Sequence, residues 1–165
     1  MLVPVTTPFD PVTEEVAPIP FRENLRRWLE APIDGIVLFG PTGEGMLLAG
    51  EEKLRLMGYA RDLVPVEMPL VVGVGEESTR QNVEQIRRLA EAGADAALLS
   101  PPSYFGSTLT AGALRDHYLA IAEASPIPIV GYHSPKVTHV VLEAGLVGGL
   151  ARHPNIVAIK DSSGE

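Results

Sequence analysis

The sequence predicts an α/β protein built on a parallel sheet, and three observations carry that prediction. Short β-branched apolar runs at residues 3–7, 35–39, 70–74, 96–100, 127–132 and 156–160 recur along the 165-residue chain. Their spacing is roughly 30 residues, the length of a strand-plus-helix unit. Between them, residues 21–30, 51–63, 79–92, 111–124 and 142–151 space their apolar residues as helices do. The runs are also nearly unbroken by polar residues, as in Ile156-Val157-Ala158-Ile159, which suits strands buried on both faces rather than a half-solvated antiparallel sheet.

Taken in order, the first run starts almost at Met1, with no lead-in, so the beginning is read as clipped. The second ends in the turn Gly40-Pro41-Thr42-Gly43-Glu44. After the third comes Gly73-Val74-Gly75-Glu76-Glu77-Ser78, then a helix with Val83, Ile86, Leu89 and Ala90 on one face and Arg80, Glu84, Arg87, Arg88 and Glu91 mostly on the other. Ser78 is the expected N-cap of that helix and Gly93 its expected C′ residue. The fourth run leads into Ser100-Pro101-Pro102-Ser103-Tyr104-Phe105, the fifth ends at Tyr132-His133-Ser134-Pro135, and the sixth ends at Lys160-Asp161-Ser162-Ser163-Gly164.

Two closures stay open on this pattern: an open doubly wound sheet or a barrel. A (β/α)8 barrel typically needs about 250 residues. On the barrel reading, residues 1–165 form one partial domain that stops after about the sixth strand, with strands seven and eight absent. Both terminal strands then expose unpaired edges, and the isolated chain is expected to be poorly soluble or partly molten.

Composition excludes several function classes. With 45% hydrophobic and 21% charged residues the chain has ample material for a packed core. A net charge of −8 and no clustered basic surface argue against nucleic acid as a partner. No cysteine is present, so disulfides and thiolate metal sites are excluded. No apolar run approaches the ~18 residues of a membrane span, and Met1-Leu2-Val3-Pro4 does not begin a signal sequence, so the cytoplasm is the expected location.

In parallel α/β folds the reactive groups collect at the carboxyl ends of the strands. Strand alternation puts Ile156, Ala158 and Lys160 on one face, and Pro128, Val130 and Tyr132 on another shared face. A lysine that ends an apolar strand is expected to be partly desolvated, which favours the free amine that attacks a carbonyl, and a tyrosine beside it can relay protons. The bland alternative is that Lys160 snorkels to solvent and Tyr132 caps the core. The turn at 40–44 can aim backbone N–H groups and the Thr42 hydroxyl at a carboxylate, or it can be a plain strand-to-helix turn. Tyr104, an isolated aromatic on a proline-rich loop, fits packing or an interface as readily as catalysis.

The turn at Gly73 to Ser78 imitates a dinucleotide-binding fingerprint but lacks its third glycine, and no acidic residue closes the next strand, since Asp95 precedes it and Ser100 ends it. His117, His133, His139 and His153 form no metal-binding spacing, so no metal site is expected and these residues are expected on the surface or in supporting positions.

Pro4-Val5-Thr6-Thr7-Pro8-Phe9, Gly40-Pro41-Thr42-Gly43-Glu44, Tyr132-His133-Ser134-Pro135 with Thr138, and Ile159-Lys160-Asp161-Ser162-Ser163-Gly164 follow one another in an order and spacing that resembles the dihydrodipicolinate synthase / N-acetylneuraminate lyase family of class I aldolases. The resemblance covers essentially the whole chain. It implies a (β/α)8 TIM barrel, commonly a homotetramer, that forms a lysine Schiff base with pyruvate or another 2-oxo acid, takes an aldehyde partner, and needs no metal or organic cofactor. By the same resemblance Lys160 is the Schiff-base lysine and Tyr132 the proton-shuttling tyrosine. Thr42 and Gly43 match the turn that holds the oxo-acid carboxylate, and Tyr104 matches the loop tyrosine that reaches into a neighbouring subunit's site.

Departures from the family pattern sharpen this. Pro41 stands where many members carry a hydroxyl residue of the proton relay, and Val137 stands where the dihydrodipicolinate synthases carry an arginine for the second substrate's carboxylate. A valine cannot make that bidentate pair. The segments 125–130 and 153–162 look most like the 4-hydroxy-2-oxoglutarate aldolase branch, which favours a catabolic aldolase. Two other readings compete: a non-catalytic truncated barrel that binds a 2-oxo acid or a partner chain, motivated by Pro41 and the absent strands, and a nucleotide-binding module resting on the defective glycine turn.

Overall fold

In a computed structural model that describes residues 1–164, the chain runs β1 (Leu2–Pro4), α1 (Pro18–Leu29), β2 (Gly35–Leu38), α2 (Gly50–Arg61), β3 (Leu70–Val74), α3 (Thr79–Glu91), β4 (Ala96–Leu99), α4 (Ala111–Ala124), β5 (Ile129–His133), α5 (Pro135–Thr138), α6 (Ala144–Leu150) and β6 (Ile156–Asp161). Short 3₁₀ turns occupy Pro41–Gly43, Gly45–Leu47 and Gly106–Thr108. The sheet order is β1-β2-β3-β4-β5-β6. Neighbours are always consecutive, so the winding has no reversal point and the doubly wound alternative is set aside.

Each expected strand is present, with shifted ends. The first keeps only Leu2–Pro4, after which Val5 still donates to the Val37 carbonyl at 3.1 Å. The fifth starts two residues late and runs on to His133. α5, a single turn started by Pro135, was not anticipated, because one turn is too short to show a helical period.

The chain divides into two compact units, one of residues 1–73 and 88–96, the other of residues 74–87 and 97 onward. In the first unit β1 pairs with β2 and β2 with β3, all parallel. Proline in the first turn starts α1, where its missing N–H costs nothing, and Phe21 and Leu25, four residues apart, are buried. In α2 the Glu52 carboxylate accepts the Ala49 N–H at 2.8 Å, and Leu56, Met57 and Ala60 form the buried stripe. The end of α3 is closed as expected from Gly93, at φ +99: Gly93 N–H donates to Ala90 O and Ala94 N–H to Leu89 O, the paired bonds of a glycine C-cap.

Arg61 ties this unit together. Its guanidinium donates to the carbonyls of Gly93 (3.2 Å), Val64 (3.0 Å) and Pro65 (2.7 Å) and to Asp95 (3.0 Å). Asp95 in turn accepts the Leu70 N–H that opens β3. The Asp95 side chain is 43% exposed, so the ion pair itself adds little, but the carbonyls lose their donor if the guanidinium goes. Arg61→Ala is expected to cost about 2–4 kcal/mol in urea unfolding, and a loss under about 1 kcal/mol would contradict this role.

In the second unit Ser78 caps α3 as expected, its hydroxyl accepting the Gln81 N–H at 3.2 Å. The fully buried Asn82 pins the same turn, accepting from Glu76 N–H and donating to the Glu76 and Ser78 carbonyls. α4 buries Leu114, His117, Tyr118, Ile121 and Ala122. The Tyr118 hydroxyl donates to the Leu99 carbonyl at 3.2 Å, and burial pushes that phenol well up from its ordinary range. β4 pairs with β5 and β5 with β6, again parallel. No described helix is long and apolar enough to cross a membrane.

The β5–β6 ladder corrects one detail of simple alternation. Ile129 is matched to Ile156 but Val130 to Ala158, a one-residue bulge at Val157. Ile156 therefore falls out of the alternation that joins Ala158 to Lys160, and it is buried opposite Ile129.

Candidate active site

The β5–β6 register places Tyr132 directly opposite Lys160. Both lie at the carboxyl ends of their strands, and the Lys160 Nζ stands over the Tyr132 ring, 4.6 Å from its centroid. Tyr132 is buried, so its ring offers Lys160 a fixed wall. Desolvation of Lys160 was expected; in the described chain it is exposed, as are Val157, Ala158 and Asp161. Alternation put both side chains at the ends of their strands, and the register sets them opposite one another.

Next to this pair, His133 is matched to Asp161, with Nδ1 3.1 Å from Oδ1. Asp161 also accepts the Ser163 N–H at 2.8 Å and the Ser163 hydroxyl at 3.1 Å. The Ser163 backbone N–H above all, then its hydroxyl and His133, hold the Asp161 carboxyl below the usual carboxylate range. After His133, α5 is closed by Thr138, buried, whose hydroxyl donates to the Ser134 carbonyl at 3.1 Å.

The turn after β2, in the first unit, is tightly built. Phe39, buried, has φ 59 and Glu44 φ 52, left-handed conformations uncommon for side chains of their size. The Phe39 carbonyl packs against two glycines: a Cβ on Gly45 would lie 1.9 Å from it, and one on Gly73 2.2 Å. The Gly43 carbonyl accepts the Thr7 hydroxyl at 2.7 Å, and a Cβ on Gly43 would meet the Val5 carbonyl at 2.8 Å. Only glycine fits there. The Gly43 N–H is taken by the Gly40 carbonyl at 3.0 Å, so of the groups expected to meet a carboxylate the exposed Thr42 is the one presented outward.

Tyr104 lies on the loop after β4, 80% exposed and edge-on to Phe105 with ring centroids 4.8 Å apart. Glu77 fixes that loop, accepting the N–H groups of Ser103 and Tyr104 at 3.0–3.1 Å. This anchor was not found in the sequence, since 26 residues separate Glu77 from Ser103 and no local pattern links them.

The histidines separate by role. His117 is buried, its Nδ1 2.8 Å from the Thr79 hydroxyl, and burial lowers its basicity. His139 ends α5 with φ 56, and His153 lies 3.2 Å from Glu123. Thus His117 is a core residue rather than a surface one. Among the described residues no group of three or more His, Cys, Asp or Glu is placed to hold a metal ion.

Residues 1–165 match the model of the dihydrodipicolinate synthetase family. The chain is 37% identical over 161 residues to a 4-hydroxy-tetrahydrodipicolinate synthase of Exiguobacterium sibiricum, covering 98% of this chain and 54% of that protein. It is 31% identical over 166 residues to the L-threo-3-deoxy-hexylosonate aldolase of Hypocrea jecorina, covering 98% and 53%. The crystal structure of the chloride-inhibited dihydrodipicolinate synthase from Acinetobacter baumannii, complexed with pyruvate, superposes with a TM-score of 0.93 at 34% identity, over 99% of this chain and 55% of that one. The chain spans about half the length of the curated relatives it matches.

Proposed function

Since the chain belongs to the dihydrodipicolinate synthetase family, we propose that it is part of a lyase that cleaves or forms a 2-oxo acid through an imine on Lys160. The observation that carries this reading is the pairing of the Lys160 amine with the buried Tyr132 ring across the β5–β6 ladder.

In this reading the Lys160 amine attacks the ketone carbon of a 2-oxo acid such as pyruvate. The carbinolamine loses water as the iminium forms, and Tyr132 supplies and recovers the protons. The iminium is the electron sink. It stabilises the enamine left when the neighbouring carbon–carbon bond breaks, or the enamine that adds to an aldehyde in the reverse direction. The step needs no cofactor beyond the lysine itself. Thr42 and Gly43 are assigned to the oxo-acid carboxylate, Thr42 through its exposed hydroxyl and Gly43 by keeping the turn in shape.

Val137, 62% exposed on the turn of α5, offers no charge to a second carboxylate. That supports a catabolic aldolase of the 4-hydroxy-2-oxoglutarate type over a lysine-biosynthetic synthase. The exposed pair Tyr104 and Phe105 supports assembly of the protein as a dimer or tetramer, with Tyr104 reaching a neighbouring subunit.

The test is steady-state release of pyruvate from 4-hydroxy-2-oxoglutarate, set against dihydrodipicolinate formation. Release without the second activity supports the reading, and the reverse preference overturns the branch. Tyr132→Phe keeps the ring under Lys160 and removes only the hydroxyl, so kcat is expected to fall about 10²–10⁴-fold with little change in stability. Wild-type kcat in that variant would remove Tyr132 from the proton path.

A further inference from the structure

The residues immediately beyond Tyr132 and Lys160 form a second cross-strand pair that the proposed reaction leaves unused. A Cβ on Gly131 would meet the Ile159 side chain and lie 3.8 Å from the Tyr118 ring, so Gly131 and Ile159 face α4. Alternation then puts His133 and Asp161 on that same face, and Tyr132 and Lys160 on the opposite one. The two pairs sit back to back across the ends of the two strands.

This end of the ladder needs a tie. The register slips by one residue at Val157, so the setting of Lys160 against Tyr132 depends on the constraints between β5 and β6 beyond that bulge. Past Lys160 those constraints are the Ser162 N–H donating to the His133 carbonyl at 2.8 Å and the His133 ring meeting Asp161 at 3.1 Å. Asp161 is held in turn by Ser163. The His133 Nε2 is buried with no partner among the described residues. A hydrogen placed there would be an unsatisfied buried donor, whereas one on Nδ1 has the Asp161 carboxylate 3.1 Å away.

We propose that His133 and Asp161 are a positioning pair: the His133 Nδ1–H bonded to Asp161 locks β5 and β6 in the register that sets Tyr132 against Lys160. The titratable group that meets the His133 ring is Asp161 on β6, 3.1 Å from Nδ1, while Tyr132, its neighbour on the same strand, lies on the opposite face. The inference rests on the Lys160 imine reading, and its experiment separates the two.

The full chain is incubated with pyruvate and borohydride, and the rate of covalent trapping is followed at saturating and limiting pyruvate for the wild type, His133→Phe, Asp161→Ala and Asp161→Asn. In parallel, ¹⁵N shifts of the His133 ring are read in the wild type. His133→Phe and Asp161→Ala are expected to trap about 10–100-fold more slowly at saturation, with the half-saturating pyruvate concentration within about threefold of wild type. Asp161→Asn, which keeps an oxygen for the Nδ1–H, recovers most of that rate. The ring shifts show hydrogen on Nδ1 and a bare Nε2.

Variants that trap at the wild-type rate overturn the pair's role while leaving the imine intact. A His133 ring carrying its hydrogen on Nε2 overturns it too, and that readout depends neither on turnover nor on how the variants fold. A wild type that folds, shows the expected ring shifts and traps nothing overturns the imine reading, and the positioning role with it.

Discussion

Lys160→Arg is expected to abolish turnover of a 2-oxo acid, with kcat at least about 10⁴-fold below wild type and the fold unchanged. The guanidinium keeps the reach toward the Tyr132 ring but stays protonated, so it cannot attack a carbonyl. The structure explains why stability should be spared. Lys160 is exposed and its one described contact is the ring face 4.6 Å away, an arrangement an arginine can also adopt. Kinetics and thermal unfolding measured on the same sample decide the matter. If more than about 1% of kcat survives, the nucleophile lies elsewhere.

Gly45→Ala is expected to have the largest effect on stability, a loss of more than about 3 kcal/mol or outright failure to fold. The methyl would lie 1.9 Å from the Phe39 carbonyl oxygen and 2.5 Å from its carbon. Those are backbone atoms of a residue already in a left-handed conformation, so no side-chain rotation relieves the clash. Gly58→Ala is the matched control. It sits in α2 with nothing within 4 Å of the added methyl, and is expected to stabilise the chain by about 0.5–1 kcal/mol. Urea unfolding of the two variants should move in opposite directions. Equal, small shifts would mean that the turn after β2 yields more easily than its packing implies.

The parallel α/β class was legible because the apolar runs and helical periods are long-range, repeated signals. The ends of α3 were legible too, since Ser78 and Gly93 act on the backbone within a few residues of themselves. Lys160 and Tyr132 emerged from alternation along two strands, and the ladder sets them opposite one another. What alternation cannot carry is an inserted residue: the bulge at Val157 moved Ile156 to the other face. It cannot carry exposure either, which depends on what packs against a strand rather than on the strand's own residues. Contacts between distant segments were hidden altogether. Glu77 on the loop of Tyr104, Arg61 on Gly93 and Asp95, and Thr7 on Gly43 join residues 26 to 36 positions apart. The left-handed turn at Phe39 was equally hidden, because its cause is two glycines, Gly45 and Gly73, that close around one carbonyl.

The central claim is a covalent bond between Lys160 and a 2-oxo acid, and the most direct test is to reduce the folded chain with borohydride in the presence of pyruvate and map the modified peptide. One pyruvate, condensed with loss of water and reduced, is expected on Lys160 and on no other lysine. A folded chain with no pyruvate-dependent adduct, or with the adduct on Lys53 or Lys136 instead, would contradict it.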